Sequence, residues 1–296
     1  MRHVSVGCKG WIYVTSHHGV RRGDGKATYS IYVVRSRDGG KTFDEGVNNF
    51  PNNLSNSAEM PAVLTDGTLI ASFVDVDGPA PAGQQSERFD RRRAWVLRST
   101  DGGTTFSTPL FVNDACGPPP GFQLSALTAD RSDGPFRDRL YFACRQHGGG
   151  PIVVNASADR GDTWSKPAVV GSAPVDAAAR RIPGIAVNNL GVLGVAWIER
   201  RMRSGDRCQE VQFSASLEGG TTFLTPQRVS TSSCGDSPAD AIALRRWPTN
   251  GDYFGLATMA DGRFRILWPE MRGGASVLLT TSLEVEGQAK APAPKP

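Results

Sequence analysis

Five polar residues recur at one position of a repeating unit in this 296-residue chain: His18, Asp75, Gln146, Glu199 and Glu270. Each lies eight residues after a glycine that opens an apolar run (Gly10, Gly67, Gly191, Gly262) or after Asp138 in the third unit. Two residues earlier, on the same strand face, stand Ser16, Phe73, Cys144, Trp197 and Trp268. Asp75 with Glu199 or Glu270 would be a pair suited to glycosidic bond hydrolysis, which uses one carboxyl as acid and another as base or nucleophile. A second column of charge, Arg2, Glu59, Arg181 and Asp252, opens four of the other apolar stretches.

The elements that must hold these residues are marked by a motif that occurs four times: RSRDGGKTF, RSTDGGTTF, SADRGDTWS and SLEGGTTFL. Its acidic positions are Asp38, Asp101, Asp159 and Glu218, separated by 63, 58 and 59 residues. A fixed period near sixty residues predicts stacked copies of one supersecondary unit. Ser and Asp side chains bond nearby amides in tight turns, and the Gly pair supplies positive φ. The closing aromatics, Phe43, Phe106, Trp164 and Phe223, are expected to plug the turn from below. Strand-like runs flank each motif (SIYVVRS, RAWVLRS, IVVNAS, VQFSAS), so each reads as a hairpin turn between antiparallel strands. Further strands are read at Arg2–Val6, Glu59–Val63, Phe122–Ala126, Arg181–Ile185 and Asp252–Leu256, each followed by a second strand carrying one of the five recurring positions.

This organisation resembles the Asp-box (BNR) repeat family, whose best-known members are sialidases. The resemblance covers nearly the whole chain. It implies an all-β fold, a β-propeller of four-stranded antiparallel blades, with each box between the third and fourth strand. Five units are visible, at about 1–57, 58–117, 118–178, 179–232 and 233–287, the last without a box. Sialidases have six blades, so the resemblance implies either a further N-terminal blade or a five-bladed ring closed by a strand swap. It also places the substrate pocket opposite the boxes, where both polar columns converge.

Sialidases clamp the substrate carboxylate with three arginines, attack with a tyrosine assisted by a glutamate, and use an aspartate as acid/base. Carried over, these roles fall on Tyr253 in DYFGLATMADGRFRILWPE, on Glu59, which opens EMPAVLTDGTLIA, and on Asp24 in RRGDGKATYSIYVVRS. Arg2, Arg181, Arg145 and Arg200 would bind substrate with Glu199, Glu270 and Asp75. The pattern departs at Arg2, where the family's Arg-Ile-Pro becomes Arg-His-Val, and at Asp75, where an arginine is expected. The alternative is a propeller that binds glycans or proteins without catalysis.

Composition limits the partners. Net charge is +4, with arginine far outnumbering lysine. Basic residues are scattered in loops without interleaved aromatics, so nucleic acid is not an expected partner. No apolar run is long enough to span a membrane. A monomer acting on a glycan or glycoconjugate is expected. Residues 288–296 form a low-complexity tail expected to be disordered. Of five cysteines, none are spaced for a zinc site, and no EF-hand-like spacing calls for calcium. No cofactor is implied. Cys116 with Cys144, and Cys208 with Cys234, are expected to pair, which would place the chain in an extracellular or periplasmic setting. Met1 opens no recognisable signal peptide, which leaves the cytoplasm open as a location.

Overall fold

The computed structural model describes residues 2–7, 10–21, 27–47, 57–76, 92–116, 125–146, 150–171, 183–203, 206–231, 233–234, 255–272 and 275–288, some of them by backbone alone. These build five antiparallel sheets in chain order. The first is β1 (Arg2–Val6), β2 (Ile12–Arg21) and β3 (Ala27–Ser36), extended by a bridge from Val33 to Val47. The second is β4 (Ser57–Val63), β5 (Leu69–Val76), β6 (Arg92–Ser99) and β7 (Leu110–Asn113). The third is β8 (Ala126–Ala129), β9 (Leu140–Arg145), β10 (Ile152–Ser157) and β11 (Ala168–Val169). The fourth is β12 (Gly184–Val187), β13 (Leu193–Arg203), β14 (Asp206–Ser216) and β15 (Gln227–Arg228), with β16 (Ser233–Cys234) paired to β14. The fifth is β17 (Gly255–Thr258), β18 (Phe264–Arg272) and β19 (Ala275–Leu283). First strands of successive sheets lie side by side: β1 on β4, β4 on β8, β8 on β12 and β12 on β17.

The second strands sit where the sequence predicts them. Two first strands are described from later points, Ala126 and Gly184, with Ser125 and Pro183 outside the strand; of the fifth, Gly255–Thr258 is described, and the expected starts at Phe122, Arg181 and Asp252 lie outside the described residues. The described ladders close at the hairpin end. Ala129, Val187 and Thr258 close against Leu140, Leu193 and Phe264, the first apolar residues of the second strands. That end fixes the register, and the earlier residues lie outside the described ladders.

Strand alternation fills the layers between sheets. On β5, Leu69, Ala71 and Phe73 face the first sheet, while Ile70 and Val74 join Phe142, Leu140 and Val153 of the third. Tyr141, Ala143 and Val154 meet Leu193, Val195 and Trp197 between sheets three and four. Ala196, Ile198 and Phe213 meet Phe264, Ile266 and Trp268 between four and five. Gly194 is required by this last layer, since a Cβ there would stand 2.5 Å from the Phe264 ring.

The boxes are built alike. In the second, the Ser99 hydroxyl donates to Asp101, the Gly103 amide donates to Ser99 Oγ, and the Thr105 amide and hydroxyl donate to the Asp101 carboxylate at 2.9 and 2.7 Å. The aromatic plugs reach toward the preceding sheet: Phe106 packs on the first layer, Trp164 on the second and Phe223 on the third. Phe43 departs from the expectation. It belongs to the first sheet, has no described sheet before it, and stays 47% exposed.

Hydrogen bonds at the box end lock neighbouring sheets. Arg35 donates to the Gly102 carbonyl and Thr104 of the next box, and Arg98 to the Arg160 carbonyl and Asp162 of the one after. Arg139 serves the fourth box, donating to the Gly219 carbonyl at 3.0 Å. The loop 130–139 goes further. Its Arg131 donates to the Val6 carbonyl of the first sheet, and its Asp138 accepts both the amide and hydroxyl of Thr65 in the second, each at 2.6 Å. One loop thereby binds sheets one, two and four. Asp138 holds φ at 63°, where most units have glycine, so its carboxylate bonds offset a local backbone cost.

Asp138→Ala should lower the denaturant midpoint by an amount corresponding to about 1–3 kcal/mol, because it strands the Thr65 donors and keeps the unfavourable φ. A change within error would show that the loop does not bear on sheet packing.

A pH-dependent effect is also expected at the second box. Hydrogen bonds from the Thr105 amide, then its hydroxyl, hold the Asp101 carboxyl well below the usual carboxylate range. A depressed folded value contributes stability above the unfolded carboxyl pKa of about 3.9 and loses it as pH falls through the folded value. Thr105→Val should therefore be less stable than the parent at pH 7, with the deficit persisting through about pH 4, the unfolded carboxyl value, and closing only at lower pH as the folded carboxyl is protonated. Urea titrations across this range measure it; a deficit constant with pH would contradict the argument.

Candidate functional site

The recurring acidic residues stand in the halves of the second strands that lie away from the boxes, Glu270 near the end of β18 and Glu199 four residues before the end of β13. Trp197 and Glu199 are two apart on β13, so both side chains face the third sheet, and the indole donates to Glu199 Oε1 at 3.0 Å. Trp268 and Glu270 repeat this on β18, facing the fourth sheet, with Nε1 donating to Glu270 Oε2 at 3.1 Å. Neither carboxylate forms a solvated rim: Glu199 is 2% and Glu270 5% exposed.

Glu210 joins them. It lies directly across from Glu199 in the β13–β14 ladder and is 1% exposed. The Arg228 guanidinium approaches its Oε1 at 3.4 Å, and the Gln212 amide donates to Oε2 at 3.3 Å. Alternation on β9 puts Arg145 on the face of Tyr141 and Ala143, which pack against Leu193, Val195 and Trp197. Arg145 is 2% exposed and belongs to the layer into which Glu199 and Glu210 point. Two buried carboxylates and the buried Arg145 guanidinium thus face one inter-sheet layer, and Arg228, whose side chain is 47% exposed, reaches Glu210 from the edge of the sheet. Glu210 could have been found in the sequence: in EVQFSAS, Glu210, Gln212, Ser214 and Ser216 alternate onto one face.

The other expected residues are placed less fully. Arg2, Glu59, Asp75 and Arg200 have positions in β1, β4, β5 and β13, and their side chains lie outside the described residues. Asp24, Arg181 and Tyr253 lie wholly outside them. The β4 backbone carries information of its own: its register shifts between Ala58 and Pro61, so Glu59 sits in a β-bulge. Bulges redirect side chains and concentrate near active sites. Asp75 pairs directly with Arg93 of β6.

Near the same end, Cys116 and Cys144 form a disulfide joining the exit of the second sheet to β9. Among the described residues no cluster of His, Cys, Asp and Glu could hold a metal ion, and no helix is long and apolar enough to cross a membrane.

These features define an all-β, β-propeller-like protein with polar layers at the end opposite its Asp-box turns. The sequence matches no family model and no curated protein. Solved structures do resemble it. A protein of unknown function from Dyadobacter fermentans aligns with a TM-score of 0.57 at 18% identity, covering 91% of this chain and 74% of its own. The Penicillium chrysogenum α-L-arabinanase complexed with arabinobiose gives 0.57 at 13%, covering 95% and 76%. The Fusarium graminearum α-L-arabinofuranosidase in complex with an iminosugar inhibitor gives 0.53 at 13%, covering 97% and 93%. At such identities the likeness is one of fold.

Trp268→Phe keeps the apolar packing of the fourth layer and removes the indole donor from buried Glu270. It should cost about 1–3 kcal/mol of stability in urea unfolding. A cost no larger than that of an exposed substitution would show that Glu270 does not depend on the indole.

Proposed function

We propose that this chain is a glycoside hydrolase whose substrate pocket opens at the end opposite the Asp boxes. The observation that carries the reading is the set of carboxylates Glu199, Glu210 and Glu270 held at that end, on a fold shared with an arabinanase and an arabinofuranosidase. At the other end, loop 130–139 already binds three sheets, which leaves the box face less free for a ligand.

The finer form of the proposal is sialidase-like: a terminal acidic sugar gripped by arginines, with Tyr253 as nucleophile, Glu59 as its base and Asp24 as acid/base. The bulge at Glu59 supports that residue's part. The domain is a single propeller over residues 1–287, working as a monomer outside the cytoplasm. The Cys116–Cys144 disulfide favours that setting. A second reading is a propeller that binds glycans without cleaving them. It is favoured by the engagement of Glu199 and Glu270 with indoles and of Glu210 with Arg228, which are structural uses of a carboxylate.

Fluorogenic α-sialosides and aryl α-L-arabinofuranosides separate these readings. Sialoside turnover that falls by at least about 10³-fold in Tyr253→Phe supports the tyrosine mechanism, by analogy with other lost nucleophiles. Arabinofuranoside turnover lost in Glu59→Gln but kept in Tyr253→Phe supports a carboxylate pair instead. Oligosaccharide binding without turnover supports the binding module, and neither binding nor turnover overturns the proposal.

A further inference from the structure

We infer that Cys208 and Cys234 form a second disulfide, which staples the exit of the fourth sheet to β14 at the mouth end of the molecule. The backbone carries the argument. In the β14–β16 ladder Cys208 is the direct antiparallel partner of Cys234, with Gln209 opposite Ser233 beside it. Directly opposed residues in such a ladder have Cα atoms about 4.5 or 5.5 Å apart, inside the range of roughly 4.4–6.8 Å that a disulfide spans. The observed Cys116–Cys144 bond has a Cα separation of 5.7 Å.

Cys116 and Cys234 occupy comparable places in the repeat, while their partners differ, Cys144 lying on the next sheet and Cys208 on the same one. Cys116 follows β7, the fourth strand of the second sheet, and is bridged in the β ladder to Gln146 of the third. Cys234 follows β15, the fourth strand of the fourth sheet, and pairs with that sheet's own third strand. In both, a cysteine stands where the chain leaves a completed sheet for the next first strand. The two-residue strand β16 gains a covalent reason to stay on the ladder, which its two backbone pairs alone supply weakly. Cys8 is left as the single thiol.

The chemistry requires a disulfide-bearing oxidant, a protein oxidase or oxidised glutathione. One thiolate attacks the oxidant and expels one thiol, and the other thiolate then attacks the mixed disulfide and expels the second. The two cysteine sulfurs join, losing two protons and two electrons, and the oxidant leaves as two thiols.

The test uses the full chain secreted into a bacterial periplasm, denatured in iodoacetamide without reductant, digested and read by mass spectrometry. The expected result is one alkylated cysteine, Cys8, with linked peptides for Cys116–Cys144 and Cys208–Cys234. The Cys208–Cys234 peptide should persist in Cys116→Ser, since the pairs lie on different strands. Alkylation of both Cys208 and Cys234, or a link from either to Cys8, would overturn the inference.

Discussion

The interior sheets of this protein are apolar on both faces, and a sheet of that kind cannot stand alone in water. Each needs a neighbour on either side, and the remaining architecture answers that need. LIASFV in the second sheet and LYFAC in the third are nearly continuous apolar runs because alternate residues serve different layers. The terminal sheets show the converse: Leu267 and Leu278 on the fifth are 44% and 71% exposed, on a face that no described sheet covers. Hydrophobic contact sets how closely sheets approach but little about their mutual slide, because it is non-directional. Direction comes from the arginines that reach from one sheet to the box carbonyls of the next.

The layer between the third and fourth sheets changes character along its length: Arg139 against the Gly219 carbonyl at the box end, hydrocarbon in the middle, and Glu199 and Glu210 at the other end. The carboxylate zone costs desolvation, which is offset when donors converge on the charge. Indole N–H groups, Gln212 and Arg228 provide those donors. Such groups are rigidly positioned, as a catalytic site requires, and equally as a structural ion cluster requires. The proposed function rests on the first use, and the same bonds favour the competing reading.

Legibility in the sequence followed from how local each signal is. The boxes were readable because Ser, Asp, Gly and Thr satisfy one another within nine residues, and the turns form as their chemistry dictates. The Trp-x-Glu pairs were visible through period and alternation. Their burial was not, since it depends on sheets sixty residues away. Arg145 illustrates the difference: as a sequence feature it is a spare cation, and only the packing of Tyr141 and Ala143 against the fourth sheet shows which layer it enters. Phe43 was expected to be covered because its own motif is complete, whereas its cover would have to come from another sheet.

The central claim is that ligand binds at the mouth end and not on the box face. Hydrogen–deuterium exchange of the full chain, with and without millimolar arabino-oligosaccharide or sialyllactose, measures this directly. The account predicts ligand-dependent protection in the ends of β13, β14 and β18 around Glu199, Glu210 and Glu270, with the four box turns unchanged. Protection confined to the box turns or to loop 130–139 would contradict it.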